Sequence, residues 1–167
     1  PGMKVVLKPN LVISAKPEAA IATHPGLVAA VGRCVQKAGG QVIIAESPGG
    51  PYTPAAMKAV FRGCGYTEMA KEWGFTLYTD CKSREVSLPG AVRCRQLSVA
   101  EPFLTRDYLI DLAKLKTHGM VGFSGAVKNL FGTVPGLQKP ELHCRFPEKQ
   151  AFSEMLVDLC DFLKPDL

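Results

Sequence analysis

Apolar residues fall along this chain in two alternating rhythms. Residues 3–7 and 41–45 are short, continuous, β-branched runs bounded by turn residues, the pattern of parallel strands buried on both faces. Between them Leu27, Val31, Cys34, Val35 and Ala38 recur at helical spacing. Pro25 suits the first turn of that helix and Gly39-Gly40 its left-handed stop, so the segment predicts a βαβ unit. Thr53-Pro54 opens a second helix with Met57, Val60, Phe61 and Cys64 on one face, and Thr67 is placed to cap a third, short helix over 68–73.

Residues 75–79 read as a strand. Residues 85–88 and 91–99 alternate apolar and polar positions around Pro89-Gly90, which predicts a hairpin with one wet face. Residues 107–115 are strand-like and are followed by a glycine-rich turn and a helix over 124–131. A last amphipathic helix over 148–163 carries Phe152, Leu156, Leu159, Cys160 and Leu163. Strands alternating with helices of this length predict an α/β fold: a mostly parallel, doubly wound sheet flanked by helices, with a small antiparallel hairpin insertion. One α/β domain over 1–167 is expected. Pro1-Gly2 feeds straight into a strand and Pro165 stops a helix as if entering a linker, so the domain reads as a fragment of a longer protein.

Composition narrows the function classes. At 47% apolar and 21% charged residues the chain is an ordinary folded domain, and no apolar stretch approaches the ~20 residues of a spanning helix. No membrane role and a cytoplasmic setting are expected. The net charge of +5 is modest and interspersed, with no dense basic stripe, so nucleic acid is not an expected partner. Six scattered cysteines without a CxxC pair fit structural thiols and offer no ligand set for structural zinc or an iron–sulfur cluster.

The candidate chemistry lies just after the strands. The first run ends in Lys8-Pro9-Asn10, the second in Glu46-Ser47-Pro48-Gly49-Gly50, and the 107–115 strand runs on into Lys116-Thr117-His118-Gly119. In a parallel sheet these ends share one edge, the edge at which open α/β sheets bind ligands. Lys8, Asn10, Glu46, Ser47, Lys116 and His118 would converge there, with Lys128 and Asn129 on the following helix. Extended geometry would put Lys114, Lys116 and His118 on one face. Ammonium groups so clustered depress one another's pKa and call for an anion between them. Lys8, Lys116 and Lys128 would neutralise that anion and Asn10 and Asn129 would orient it. His118, beside Lys116, is the candidate for proton transfer, because its ordinary pKa lies near neutrality. The amides after the glycine-rich 119–125 turn offer a further anion contact. Neither GxGxxG nor GxxxxGK[ST] occurs there.

Four separated motifs carry a family resemblance: Pro1-Gly2-Met3-Lys4 through Leu7-Lys8-Pro9-Asn10-Leu11, Ala22-Thr23-His24-Pro25, Ala45-Glu46-Ser47-Pro48-Gly49-Gly50, and Leu115-Lys116-Thr117-His118 with Gly125-Ala126-Val127-Lys128-Asn129-Leu130-Phe131-Gly132. In this order and over nearly the whole chain they resemble the domain of unknown function 362 family. The resemblance implies chain before residue 1 and a ferredoxin-like 4Fe–4S domain in the same polypeptide, a cluster this chain itself does not ligate. Ala113 stands where the family pattern has proline. Two functions are compatible with these residues. One is an anion-binding α/β domain forming part of an enzyme; the other is a non-catalytic scaffold serving an iron–sulfur electron-transfer module in the full-length protein. The resident cofactor is not specified by the sequence.

Overall fold

The continuous apolar runs pair side by side in the computed structural model, which describes residues 1–167. Strands β1 (Lys4–Pro9), β2 (Gln41–Ile44), β3 (Thr76–Leu77) and β6 (Tyr108–Leu112) form a four-stranded sheet in the order β3-β2-β1-β6, and every neighbouring pair is parallel. Val5, Val6 and Leu7 of β1 align with Val42, Ile43 and Ile44 on one side and with Tyr108, Leu109 and Ile110 on the other.

Period-two alternation sends β1 side chains to two separate cores. Val5 and Leu7 pack with α1 (Pro25–Lys37), α2 (Pro54–Gly63) and α3 (Tyr66–Trp73), through Val28, Met57, Phe61, Tyr66 and Met69. Val6 packs on the opposite face against Phe152, Met155, Leu156 and Leu159 of α6 (Lys149–Leu163). Helices therefore cover both faces, and Lys8 follows Val6 toward the α6 side.

Helix starts follow local chemistry. His24 Nδ1 accepts from the Gly26 amide at 3.1 Å ahead of Pro25, and Thr53 Oγ1 accepts from the Ala56 amide at 3.3 Å ahead of Pro54. Thr67 caps nothing: α3 begins two residues earlier than expected, after Gly65 in the left-handed region at φ 75°.

Between β3 and β6 a crossover helix is replaced by an antiparallel hairpin of β4 (Ser83–Ser87) and β5 (Gln96–Ala100). Only β5 contributes buried apolar side chains, Leu97 and Val99, so the outer strand is the wet one. The loop between them is tied down by Asp158 of α6, whose carboxylate accepts from the amides of Val92, Arg93 and Cys94 at 2.7–2.9 Å.

The strand expected over 107–115 ends early, with residues 113–115 outside any strand. β6 stops at Leu112, and β7 (Lys116–His118) pairs with β8 (Gly122–Ser124) in a separate small hairpin. The helix expected over 124–131 is one turn, α4 (Ala126–Asn129), continued as a 3₁₀ segment over Leu130–Thr133. A further helix, α5 (Gln138–Arg145), lies where no helical rhythm is visible. No helix is long and apolar enough to cross a membrane.

Candidate functional site

From β1 the chain builds β2 and β3 outward on one side, then returns to place β6 on the other side of β1. Ligands of open α/β sheets settle at such a reversal of strand order, outside the carboxyl ends. Here that point is the gap beyond Lys8, Pro9 and Asn10 of the β1 end and Asp111 and Leu112 of β6.

A buried ion pair anchors the site. Lys8 Nζ lies 2.6 Å from Glu46 Oε2, with the two side chains 0% and 3% exposed. The Glu46 carboxylate also accepts from the Leu11 amide at 3.4 Å and, through Oε1, from the Ser47 amide at 2.9 Å. Lys8 additionally donates to the Pro9 carbonyl at 3.0 Å. Its ammonium is thus enclosed by protein, so it shapes the strand ends from below.

Above this pair runs a chain of side-chain hydrogen bonds with one sense. Lys116 Nζ donates to Asn10 Oδ1 at 2.7 Å, Asn10 Nδ2 to Asn129 Oδ1 at 2.9 Å, and Asn129 Nδ2 to Asp111 Oδ1 at 2.6 Å. The chain begins at a cation, which only donates, and ends on a carboxyl oxygen that accepts, so its sense is fixed. Burial pushes the Asp111 carboxyl up to about 6, with Glu46 adding to the rise, while Lys8 and the Asn129 bond hold it down. Thr23 braces the same crossing: its hydroxyl donates to the Leu112 carbonyl at 2.7 Å and accepts from the Asn10 amide at 2.9 Å.

Over this floor opens a pocket of about 210 Å³ lined by Asn10, Glu46, Ser47, His118, Lys128 and Asn129 together with Phe131, Lys139 and His143. Lys116 reaches the edge of this group through Asn10, whereas Lys114 lies apart, because β6 ends before it and β7 starts after it. Of the expected basic residues, Lys128 and His118 line the cavity, while Lys8 is buried beneath it; Lys139 and His143 line it as well. Lys128 has no hydrogen-bond or ion-pair partner in the chain, and its ammonium rides 4.8 Å from the Phe131 ring centre. Burial, then repulsion from Lys8 and Lys116, lowers it to about 8 against the opposing pull of Glu46. Lys139 falls to about 7, chiefly through burial. Its ammonium donates to the carbonyls of Ser47, Pro48 and Val134, clamping the loop after β2.

His118 is held in one form. The amides of Met120 and Val121 in the β7–β8 turn both point at its Nδ1, at 3.2 and 3.4 Å, so the ring proton sits on Nε2. The glycine-rich turn therefore spends these two amides on His118, and α4 after it is too short to supply a helix-terminus anion site. Burial, Lys128 and Lys116 all lower the His118 pKa. His143 stacks on Phe152 with ring centres 4.5 Å apart, and burial with the nearby Lys128 lowers it too. His24 is remote from this group, serving as the α1 cap. No group of three His, Cys, Asp or Glu side chains is assembled for a metal ion.

Lys139, His143 and Asp111 are pocket or floor residues that the strand-end pattern does not single out. α5 supplies the first two, and its sequence, Gln-Lys-Pro-Glu-Leu-His-Cys-Arg, buries only Leu142 and carries a proline in its first turn. Asp111 is masked because it sits inside an apolar strand.

The model of the family described as Domain of unknown function (DUF362) matches residues 5–167. Over 168 residues the chain is 32% identical to the thylakoid-associated protein sll1697 of Synechocystis sp. (strain ATCC 27184 / PCC 6803 / Kazusa), a match covering 100% of this chain and 50% of that protein. The chain spans about half the length of the curated relative it matches. Since the family match runs from β1 through every strand end that builds the pocket, the chain belongs to the DUF362 family, the Domain of unknown function family of that name.

Proposed function

We propose that this domain binds an anionic small molecule or cofactor in the pocket at the carboxyl edge of its sheet, as part of an enzyme. The observation that carries this reading is the imbalance of the lining. Lys128, Lys139, His118 and His143 face one cavity whose single carboxylate, Glu46, is already matched by Lys8. An ammonium left partnerless in a half-buried site is tolerated when a ligand completes it, so Lys128 is the primary anion contact. Asn10 and Asn129 orient the floor and Lys116 sets the polarity of their amides. His118, with Nδ1 occupied by two amides, presents Nε2–H as a hydrogen-bond donor to the bound anion.

A thermal-shift screen of the chain against sulfate, phosphate, small carboxylates and nucleotides tests this. Binding to the native state raises the melting temperature by mass action. A selective rise is expected for at least one anion, and Lys128→Gln should weaken that binding roughly tenfold to a hundredfold, the worth of a charge-assisted hydrogen bond. No rise with any anion, or a rise retained in full by Lys128→Gln, would remove the reading.

A further inference from the structure

The pocket lining is divided unevenly between donors and acceptors. Among its acceptors, Glu46 Oε2 takes hydrogen bonds from Lys8 and Leu11, Glu46 Oε1 from Ser47, Asn10 Oδ1 from Lys116, and Asn129 Oδ1 from Asn10. The carbonyls of Ser47 and Pro48 accept from Lys139, that of Gly132 accepts from the Ser47 amide, and His118 Nδ1 accepts from two amides. These acceptors are all engaged.

The groups left over in the lining can donate, while beneath it Asp111 Oδ2 is an acceptor without a partner. Lys128 Nζ has no partner. The Ser47 hydroxyl, on a residue 0% exposed, is buried against the pocket with no hydrogen bond. His118 holds its proton on Nε2. His143 Nδ1 is also buried and unpartnered, and it donates in the tautomer that carries its proton there. A buried hydroxyl without a partner is a standing cost of about 1–3 kcal/mol, which a bound acceptor relieves.

The geometry points to a phosphate monoester dianion as the ligand class, its terminal oxygens taken by Lys128 Nζ, the Ser47 hydroxyl and His118 Nε2–H, an assignment that rests on the anion reading above. A carboxylate has two oxygens in one plane and leaves a donor unserved. A phosphate diester carries one charge. Inorganic phosphate offers its oxygens to the same donors but has no organic group to fill the rest of the cavity. A fully ionised monoester accepts at three terminal oxygens and donates nowhere. The cavity of about 210 Å³ exceeds what one tetrahedral oxyanion fills, which leaves space for the organic group of the ester.

The test is a calorimetric titration of the chain with glycerol 1-phosphate, sulfate, dimethyl phosphate and acetate at about pH 7.2, repeated for the first two at about pH 5.2. Glycerol 1-phosphate should bind at least about tenfold more tightly than dimethyl phosphate or acetate, one charge-assisted hydrogen bond or more. Sulfate keeps both charges at either pH, whereas the monoester gains a proton with a second pKa of ≈ 6. The monoester-to-sulfate affinity ratio should therefore fall several-fold at the lower pH. Titration of His118, Lys128, Lys139 and His143 in the lining and of Asp111 in the floor, beside the Lys8–Glu46 pair and Lys116, acts on both dianions alike and cancels to first order in that ratio. Ser47→Ala should keep or raise the melting temperature of the free chain while weakening the monoester about tenfold.

Acetate binding as tightly as the monoester, with Lys128→Gln still abolishing it, would leave the anion site standing and overturn the phosphate assignment. A pH-independent ratio, or a folded Ser47→Ala variant with unchanged affinity, would overturn it too. Binding of none of the four would remove the anion reading itself.

Discussion

Lys8→Met should destabilise the fold by about 3–5 kcal/mol, the cost of leaving one member of a buried ion pair without its partner. The Lys8 and Glu46 side chains are 0% and 3% exposed, so water cannot replace the missing ammonium. Glu46 cannot turn away either. Its two oxygens are also held by the amides of Leu11 and Ser47, which keep the carboxyl group where the substitution leaves it without its ammonium. Lys8→Met/Glu46→Gln should regain more than half of the loss, because the glutamine carbonyl can still accept from Ser47 without a buried charge. Urea denaturation of the two single variants and the double variant provides the measurement. A loss below about 1 kcal/mol in Lys8→Met would mean that the pair is solvated in the working protein and does not organise the strand ends.

Gly132→Ala should produce an effect of similar size from a single methyl group. A Cβ at Gly132 would stand 1.8 Å from Glu46 Oε1 and 2.6 Å from Lys8 Nζ. Neither atom can yield cheaply, because each belongs to the buried pair, and the Gly132 carbonyl is itself tied to the Ser47 amide at 2.8 Å. Overpacking alone costs about 1–3 kcal/mol, and spreading the ion pair adds to it. A total of about 3 kcal/mol or more is expected, measured by the same denaturation. Because both substitutions act through one contact, Gly132→Ala combined with Lys8→Met should cost clearly less than their sum. Simple additivity would place Gly132 outside the ion-pair assembly.

The residues that carry these two effects differ in how visible they are in the sequence. Lys8 and Glu46 each follow a continuous apolar run, where a polar residue at a strand end stands out, and the same rule finds Asn10, Ser47, Lys116 and His118. What the run does not reveal is that Lys8 and Glu46 answer each other. Pairing depends on β1 and β2 being neighbours in register, a long-range fact. Gly132 is visible only as one glycine after Phe131, since the need for a bare Cα arises from a side chain 86 positions earlier, at Glu46.

The fold class was legible because the continuous apolar runs of β1 and β2 and the 3.6-residue rhythm of α1 and α6 are strong. The short elements were not. Ala113, Lys114 and Leu115 continue the alternation of β6 closely enough to hide the break at Leu112, although Leu115 proves to be 76% exposed. α5 escapes because its burial is limited to Leu142 and Pro140 argues against a helix until its place in the first turn is known. With α5 unseen, Lys139 and His143 are merely two basic residues in a loop. Their place beside Lys128 and His118 comes from the chain turning back over the end of β2, where Lys139 grips the Ser47 and Pro48 carbonyls.

The most direct measurement of the anion site is an amide NMR titration of the chain with sulfate, which carries two charges and needs only donors. Saturable shifts are expected to concentrate at Ser47, Gly49, His118 and Gly132, around the Lys128 ammonium, and to vanish in Lys128→Gln. Shifts centred instead on the β4–β5 hairpin or on the amino-terminal sheet edge near Met3 and Gly40, or none that saturate, would contradict an anion site at the carboxyl edge of this sheet.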